Sequence, residues 1–192
     1  MQRIGADRRR RIISIINLVL PFVVLGLTVV FDQLTKSYFK SAYPNGEISF
    51  VIPNFFYFTY TVNPGAAWSF LAGVEWAQTF FKIISVVAFI GFGIFMYYAL
   101  KKKYKWLSYS VAFMIGGTLG NFIDRVSFNG VTDFIGFIFG NYHFPIFNLA
   151  DSFLVVGVIM FIIHCLFIDK EGLFNKMKKE EKKNNGNGDE KV

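Results

Sequence analysis

The sequence is poor in the residues that most enzymes use for nucleophilic or metal chemistry. Of 192 residues, one is cysteine and two are histidine. A lone thiol, Cys165, closes no intramolecular disulfide, and no Cys/His spacing suits a zinc ion. It lies deep in an apolar run, where it reads as a small buried apolar residue. The His-Glu-x-x-His pattern of zinc proteases is missing, and so is a Gly-x-Ser-x-Gly nucleophile elbow. His164 adjoins Cys165, and His143 has no evident nucleophile beside it. Charged residues are also sparse, at 17%, against 54% hydrophobic. That balance is too apolar for an ordinary soluble domain of this length and points to an integral membrane protein built as one compact bundle.

Four runs approach the roughly 20 apolar residues that span a bilayer. They cover about Ile12–Phe31, with Pro21 as an expected kink, then Trp76–Leu100, Trp106–Ile123 and Ile146–Ile168. Basic residues before the first run also describe a signal peptide. The run is long, however, and no small-residue cleavage site follows it, so a retained span is expected. The net charge of +7 does not point to nucleic acid, because the basic residues flank the apolar runs. Five of the 20 Lys and Arg precede the first run, four lie in the "KKKYK" turn and seven in the tail from Asp169. Positive charge collects on the cytoplasmic side and suits anionic headgroups. Both termini are therefore expected in the cytoplasm, with residues 169–192 a disordered tail. Residues 32–75 and 124–145 then lie toward the outer face. The first of these includes "ISFVIPNFFYFTYTVN", whose alternation and β-branched and aromatic content predict one or two strands. A β-rich platform over about 37–73 is expected on the outer membrane surface, with Trp68, Trp76 and Trp106 marking interfaces.

The polar residues gather at the outer ends of these spans. They occur in "FDQLTK" (Asp32, Lys36), "NPGAAWSF" (Asn63, Gly65), "GGTLGNFIDR" (Asn121, Asp124, Arg125), "VTDF" (Asp133) and "FNLADS" (Asn148, Asp151). Polar groups near hydrocarbon are costly, so a cluster at one depth marks a functional site. Gly117, Gly120, Asn121 and Asp124 recur at helical spacing on one face, as do Asn148, Asp151 and Ser152. Asp151 is expected about one turn, ~5 Å, below the start of its helix. Two carboxylates brought together in a low-dielectric site share a proton, one serving as base and the other as acid. That chemistry needs no metal or cofactor, and none is expected. The carboxylates at the rim are Asp32, Asp124, Asp133 and Asp151, and spacing does not select two of them. Asp124 has Arg125 beside it as an expected ion-pair partner, and Asp32 has Lys36. Asp133 and Asp151 have no cationic neighbour in the sequence, which leaves them freer to share a proton.

Taken in order, "FDQLTK", "NPGAAWSF", "GNFIDRV", "VTDF" and "FPIFNLADS" resemble the five motifs of the bacterial lipoprotein signal peptidases, also called signal peptidase II, of aspartic peptidase family A8. Each motif alone is weak; five in order between Phe31 and Gly157 are specific. The resemblance implies a membrane all-α fold, a four-transmembrane-helix bundle with an extracytoplasmic β-cradle, a loop helix on the outer side and a mobile loop over the site. It implies an intramembrane aspartic endopeptidase of the bacterial cell membrane. Such an enzyme removes signal peptides from diacylglyceryl-modified prolipoproteins by cutting before the modified cysteine. The family's catalytic pair falls on Asp133 and Asp151. Supporting positions fall on Asp32, Lys36, Asn63, Gly65, Asn121, Asp124, Arg125 and Asn148. Expected partners are the prolipoproteins, membrane lipids and globomycin-type inhibitors, with no nucleic acid and a monomeric enzyme. Two other readings of the same rim are a small transporter or channel and a lipid-binding scaffold. A transporter wants carboxylates near the midplane, whereas here the middles of the spans are apolar.

Overall fold

The computed structural model describes residues 2–65 and 70–168, with side chains from residue 12 onward. Four long helices account for most of it: α1 (Gln2–Ala42), α2 (Ala77–Lys102), α3 (Lys105–Phe128) and α4 (Leu149–Ile163). A π-helical turn, His164–Ile168, extends α4. Four strands, β1 (Ser49–Ile52), β2 (Phe56–Asn63), β3 (Val131–Phe139) and β4 (Tyr142–His143), form one antiparallel sheet in that order. The sheet caps the end of the bundle where α1 and α3 finish and α4 begins. The expected tail and Trp68 lie outside the described residues. Among the described residues there is no separate helix on the loop leading to α2.

Three helical segments are long and apolar enough to cross a membrane: Ile12–Ala42, Ala77–Lys102 and Leu149–Ile168. Their outward faces are apolar; on α2, for example, Ile83, Val87, Ile90 and Ile94 stand 58–64% exposed. A helix surrounded by hydrocarbon satisfies its own backbone and turns apolar side chains outward. The third expected span is the exception. It folds as α3 but is not among the three, because it is the central helix and packs against α1, α2 and α4. Its buried residues include Ser108, Ser110, Gly116, Gly117 and Gly120. A helix enclosed by other helices gains more from small residues that permit close approach than from apolar bulk. A Cβ on Gly117 would collide with the Ala150 carbonyl oxygen, so this glycine sets how closely α4 lies on α3.

Several element boundaries differ from those read in the sequence. α1 runs on to Ala42 rather than ending near Phe31, so the platform begins only after it. Asp32 and Lys36, paired at 2.9 Å, are buried inside the helix, which lets it continue through two charges. α3 likewise runs past Ile123 to Phe128 and ends at Asn129, whose φ of 52° is left-handed. The segment after it is not a loop. Val131–Phe139 is the strand that pairs with β2, with Asp133 opposite Thr61. "VTDFIGFIF" is nearly uniformly apolar and offers no alternation to reveal a strand covered on both faces.

β3 also positions the start of α4. The Phe147 carbonyl accepts the amides of Phe134 and Ile135 at 3.0 and 2.8 Å, and Phe147 N donates back to Ile135 O at 3.0 Å. Phe134 stacks on Phe39 of α1 with ring centroids 4.3 Å apart. Together these contacts bring "VTDF" and "FNLADS" side by side.

Candidate active site

α4 begins with a capping box. Asn148, in extended conformation, accepts the Asp151 amide on its side chain (3.0 Å), and its own amide donates to Asp151 Oδ2 (3.1 Å). Asp151 is thus the third residue of the helix, part of the cap itself rather than one turn below the start. The same Asn148 donates from Nδ2 to Asp133 Oδ1 at 2.7 Å and to the Thr132 carbonyl at 3.1 Å. One fully buried carboxamide therefore links both aspartates. Asn121 of α3 donates to Asp151 Oδ1 at 2.8 Å. Asn63, at the end of β2, donates to Asp133 Oδ2 at 3.2 Å and accepts the Gly65 amide at 2.9 Å.

Asp32 and Asp124 act one step back, and in parallel. Asp32 Oδ1 accepts the amide of Ala150, the residue before Asp151, at 2.9 Å. Asp124 Oδ2 accepts the amide of Thr132, the residue before Asp133, at 2.9 Å. Each holds the backbone next to one member of the pair. Lys36, only 4% exposed, lies between them, 2.9 Å from Asp32 and 3.3 Å from Asp124. Buried carboxylates persist when paired and hydrogen-bonded, and both conditions hold here. Gly120 belongs to the same design: a Cβ there would collide with Asp32 Oδ2.

The expected ion pair of Asp124 with Arg125 is not formed. Consecutive helical residues point about 100° apart and do not face one another. Asp124 turns to Lys36, while Arg125 donates to the Gly65 carbonyl (2.9 Å) and to Gln78 Oε1 (3.3 Å) and stacks on Phe81 at 4.4 Å. All ten residues singled out in the sequence thus fall in one connected region. Sequence reasoning missed four others. Gln33 donates to Asp32, Asp124 and the Gly120 carbonyl, each at 3.1 Å. Thr132 joins Asp124 to Asn148, and Gln78 also donates to the Pro64 carbonyl. Phe81 supplies the ring under Arg125. Gln33 lies inside the "FDQLTK" motif, and Gln78 is a polar residue in the first turn of an apolar helix. His164 is buried at the opposite end of the bundle, against Tyr104.

Asp133 and Asp151 open onto a cavity of about 650 Å³. Asn63, Gly65, Asn121 and Arg125 also line it, and Phe144–Phe147 and Leu154–Val156 supply apolar walls. Asp133, 3% exposed, has its proton affinity pushed up from the ordinary 3.8 to about 7. Burial is the main cause and the charge of Asp151 adds to it; hydrogen bonds from Asn148 and Asn63 and the charge of Lys36 oppose it. Among the described residues no group of three or more His, Cys, Asp or Glu side chains is placed to hold a metal ion.

Helices apolar enough to cross a membrane, with a buried and a half-buried carboxylate facing an apolar cavity, define a multi-pass membrane protein equipped for acid–base chemistry. The family model described as Signal peptidase (SPase) II matches residues 24–167. The chain is 43% identical over 152 residues to the lipoprotein signal peptidase of Bacillus pumilus (strain SAFR-032), covering 78% of this chain and 94% of that one. It is 41% identical over 148 residues to the lipoprotein signal peptidase of Listeria welshimeri, covering 77% and 93%. A solved structure described as a bacterial membrane enzyme, obtained by the in meso method at 2.3 Å resolution, matches with a TM-score of 0.67 and 37% identity over 79% of this chain and 90% of that one. The chain belongs to the signal peptidase II family and is a protease.

Proposed function

We propose that the protein is an intramembrane aspartic endopeptidase that removes the signal peptide from diacylglyceryl-modified prolipoproteins, cutting before the lipid-modified cysteine. The observation that carries this reading is the Asn148 bridge. It holds Asp133 of a strand, buried, and Asp151 of a helix, half-buried, side by side at the wall of a large apolar cavity. Membership in the signal peptidase II family and the lipoprotein signal peptidases among its relatives supply the substrate class.

In this mechanism one carboxylate takes a proton from a water while the water oxygen bonds to the scissile carbonyl carbon. The protonated partner gives its proton to the carbonyl oxygen. The resulting tetrahedral diol collapses as a proton passes to the amide nitrogen, the C–N bond breaks, and an acid and an amine leave. The raised proton affinity of Asp133 favours one proton on the pair near neutrality. Arg125 and Asn63 border the cavity and are assigned to substrate contact and support. α3 is taken as a fourth span. The sheet end then faces the outer side, with the termini and the 169–192 tail in the cytoplasm, and the enzyme acts as a monomer. A cavity with one polar wall and several apolar walls suits a peptide whose lipid stays in the outer leaflet, and suits globomycin-type inhibitors.

The test is cleavage of a diacylglyceryl-modified prolipoprotein peptide by purified protein. Asp133→Asn and Asp151→Asn should each lower the rate by about 10³-fold or more while still accumulating in the membrane. Full turnover by both variants would overturn the reading.

A further inference from the structure

Lys36 makes no direct hydrogen bond to either aspartate of the pair, yet it governs how one of them is bonded. Its ammonium has three hydrogens and three acceptors: Asp32 Oδ2 at 2.9 Å, Asn121 Oδ1 at 2.9 Å and Asp124 Oδ2 at 3.3 Å. An ammonium donates and never accepts. The Asn121 oxygen must therefore face Lys36, and its NH2 must face Asp151 Oδ1, 2.8 Å away. Asn148 Nδ2, itself oriented by the Asp151 amide, donates to the same Asn121 oxygen at 3.1 Å. The ordinary two-way choice of a carboxamide is removed by a buried charge.

The two aspartates are consequently held unequally. Asp151 receives the Asn121 NH2 on one oxygen and the Asn148 backbone amide on the other, at 2.8 and 3.1 Å. Neither donor can turn to accept, so a proton on either oxygen weakens a bond already made. Asp133 receives a short bond from Asn148 on Oδ1, but on Oδ2, among the described residues, only the 3.2 Å contact from Asn63, near the long limit of such bonds. Among the described residues, the charged groups around the pair are Lys36 and Asp32 from α1 and Asp124 and Arg125 from α3. β2 and α2 contribute neutral amides, Asn63 and Gln78.

We propose that Lys36 is a positioning residue that fixes the amide of Asn121, thereby keeping Asp151 as the ionised base and leaving the shared proton on Asp133. The inference rests on the aspartic-peptidase reading and assigns the two roles within it.

Two measurements on the full-length protein test it. The first is the pH profile of kcat/KM with the diacylglyceryl-modified peptide. Asn121→Ala should move the acid limb, where the base must ionise, to higher pH by about one unit, a tenfold change, and leave the alkaline limb in place. Asn63→Ala should do the reverse, moving the alkaline limb and sparing the acid one. Lys36→Gln, whose carboxamide no longer dictates the Asn121 orientation, should shift the acid limb. It should shift it less in the Asn121→Ala background, because the two residues act in series. Exchanged limbs, unmoved limbs, or full Lys36 and Asn121 additivity would overturn the proposal. The second measurement needs no turnover. Infrared spectra at near-neutral pH should show a protonated-carboxyl band that Asp133→Asn removes and Asp151→Asn retains; the opposite pattern overturns the assignment. Loss of cleavage in both Asp→Asn variants with the band on the wrong residue would sink this inference alone, leaving the peptidase reading intact.

Discussion

The two ends of the bundle are held together by different forces. At the end away from the sheet, Met96, Ala99, Leu107, Val111 and Ala112 form an apolar cluster joined by Val24, Leu25, Phe92 and Phe161. At the sheet end, the buried set is Asp32, Lys36, Asp124, Asp133 and Asn148, joined by ion pairs and amide hydrogen bonds. Dispersion packing is tolerant: a lost methylene leaves a cavity and little else changes. A polar network in a low dielectric is not tolerant, because each unpaired member carries the full cost of burial. The tolerant end sets the helices side by side. The intolerant end ties α1, α3, β3 and α4 together at backbone amides next to the aspartates.

The contrast can be broken most severely at Asp32. Asp32→Leu leaves Lys36 with one carboxylate and the Ala150 amide without its acceptor. We expect a loss of about 3–5 kcal/mol, the usual cost of breaking a buried pair, together with loss of cleavage, measured by thermal unfolding in detergent and by the peptide assay. A smaller effect comes from pH. The folded state holds a proton on Asp133 up to about 7, whereas the unfolded chain releases it near 3.8, so folding binds the extra proton between those values. Stability contributed by that proton is complete below the lower value and is lost as pH rises through the upper one. The unfolding temperature should fall across this window, and Asp133→Asn should flatten the slope. The smallest effect should come from the apolar end. Met96→Ala should cost about 2 kcal/mol with the cleavage rate unchanged; a large drop in rate would show that the ends are not separable in this way.

The candidate site residues were legible because their types are expensive where they sit. A carboxylate or carboxamide at the mouth of an apolar run calls for an explanation, and Asp32, Asn121, Asn148 and Asp151 were found on that ground. Family motifs then grouped them. Partnerships were much less legible. Adjacency suggested Asp124 with Arg125, but the helix turns them to different neighbours, and Asp124 meets Lys36 across 88 positions of chain. β3 was hidden because a strand buried on both faces has no alternation, and α3, expected as a span like the other three, is the helix enclosed by them. Gln33 and Gln78 passed unnoticed because a lone glutamine near an interface is chemically unremarkable until its contacts are known.

By itself the sequence determined the solvent, the number of long helices and the kinds of chemistry on offer. Apolar runs longer than a bilayer is thick leave few alternatives, and a chain nearly without cysteine and histidine leaves carboxylates as its acid–base groups. Which carboxylates meet was decided only in three dimensions. Asp133 and Asp151 lie 18 residues apart on a strand and a helix, and a hydrogen-bonded crossing at Phe147 and the side chain of Asn148 bring them together. No periodicity along the chain encodes that meeting, because it depends on pairing between elements and on a side-chain amide, Asn121, whose oxygen faces a lysine from another helix.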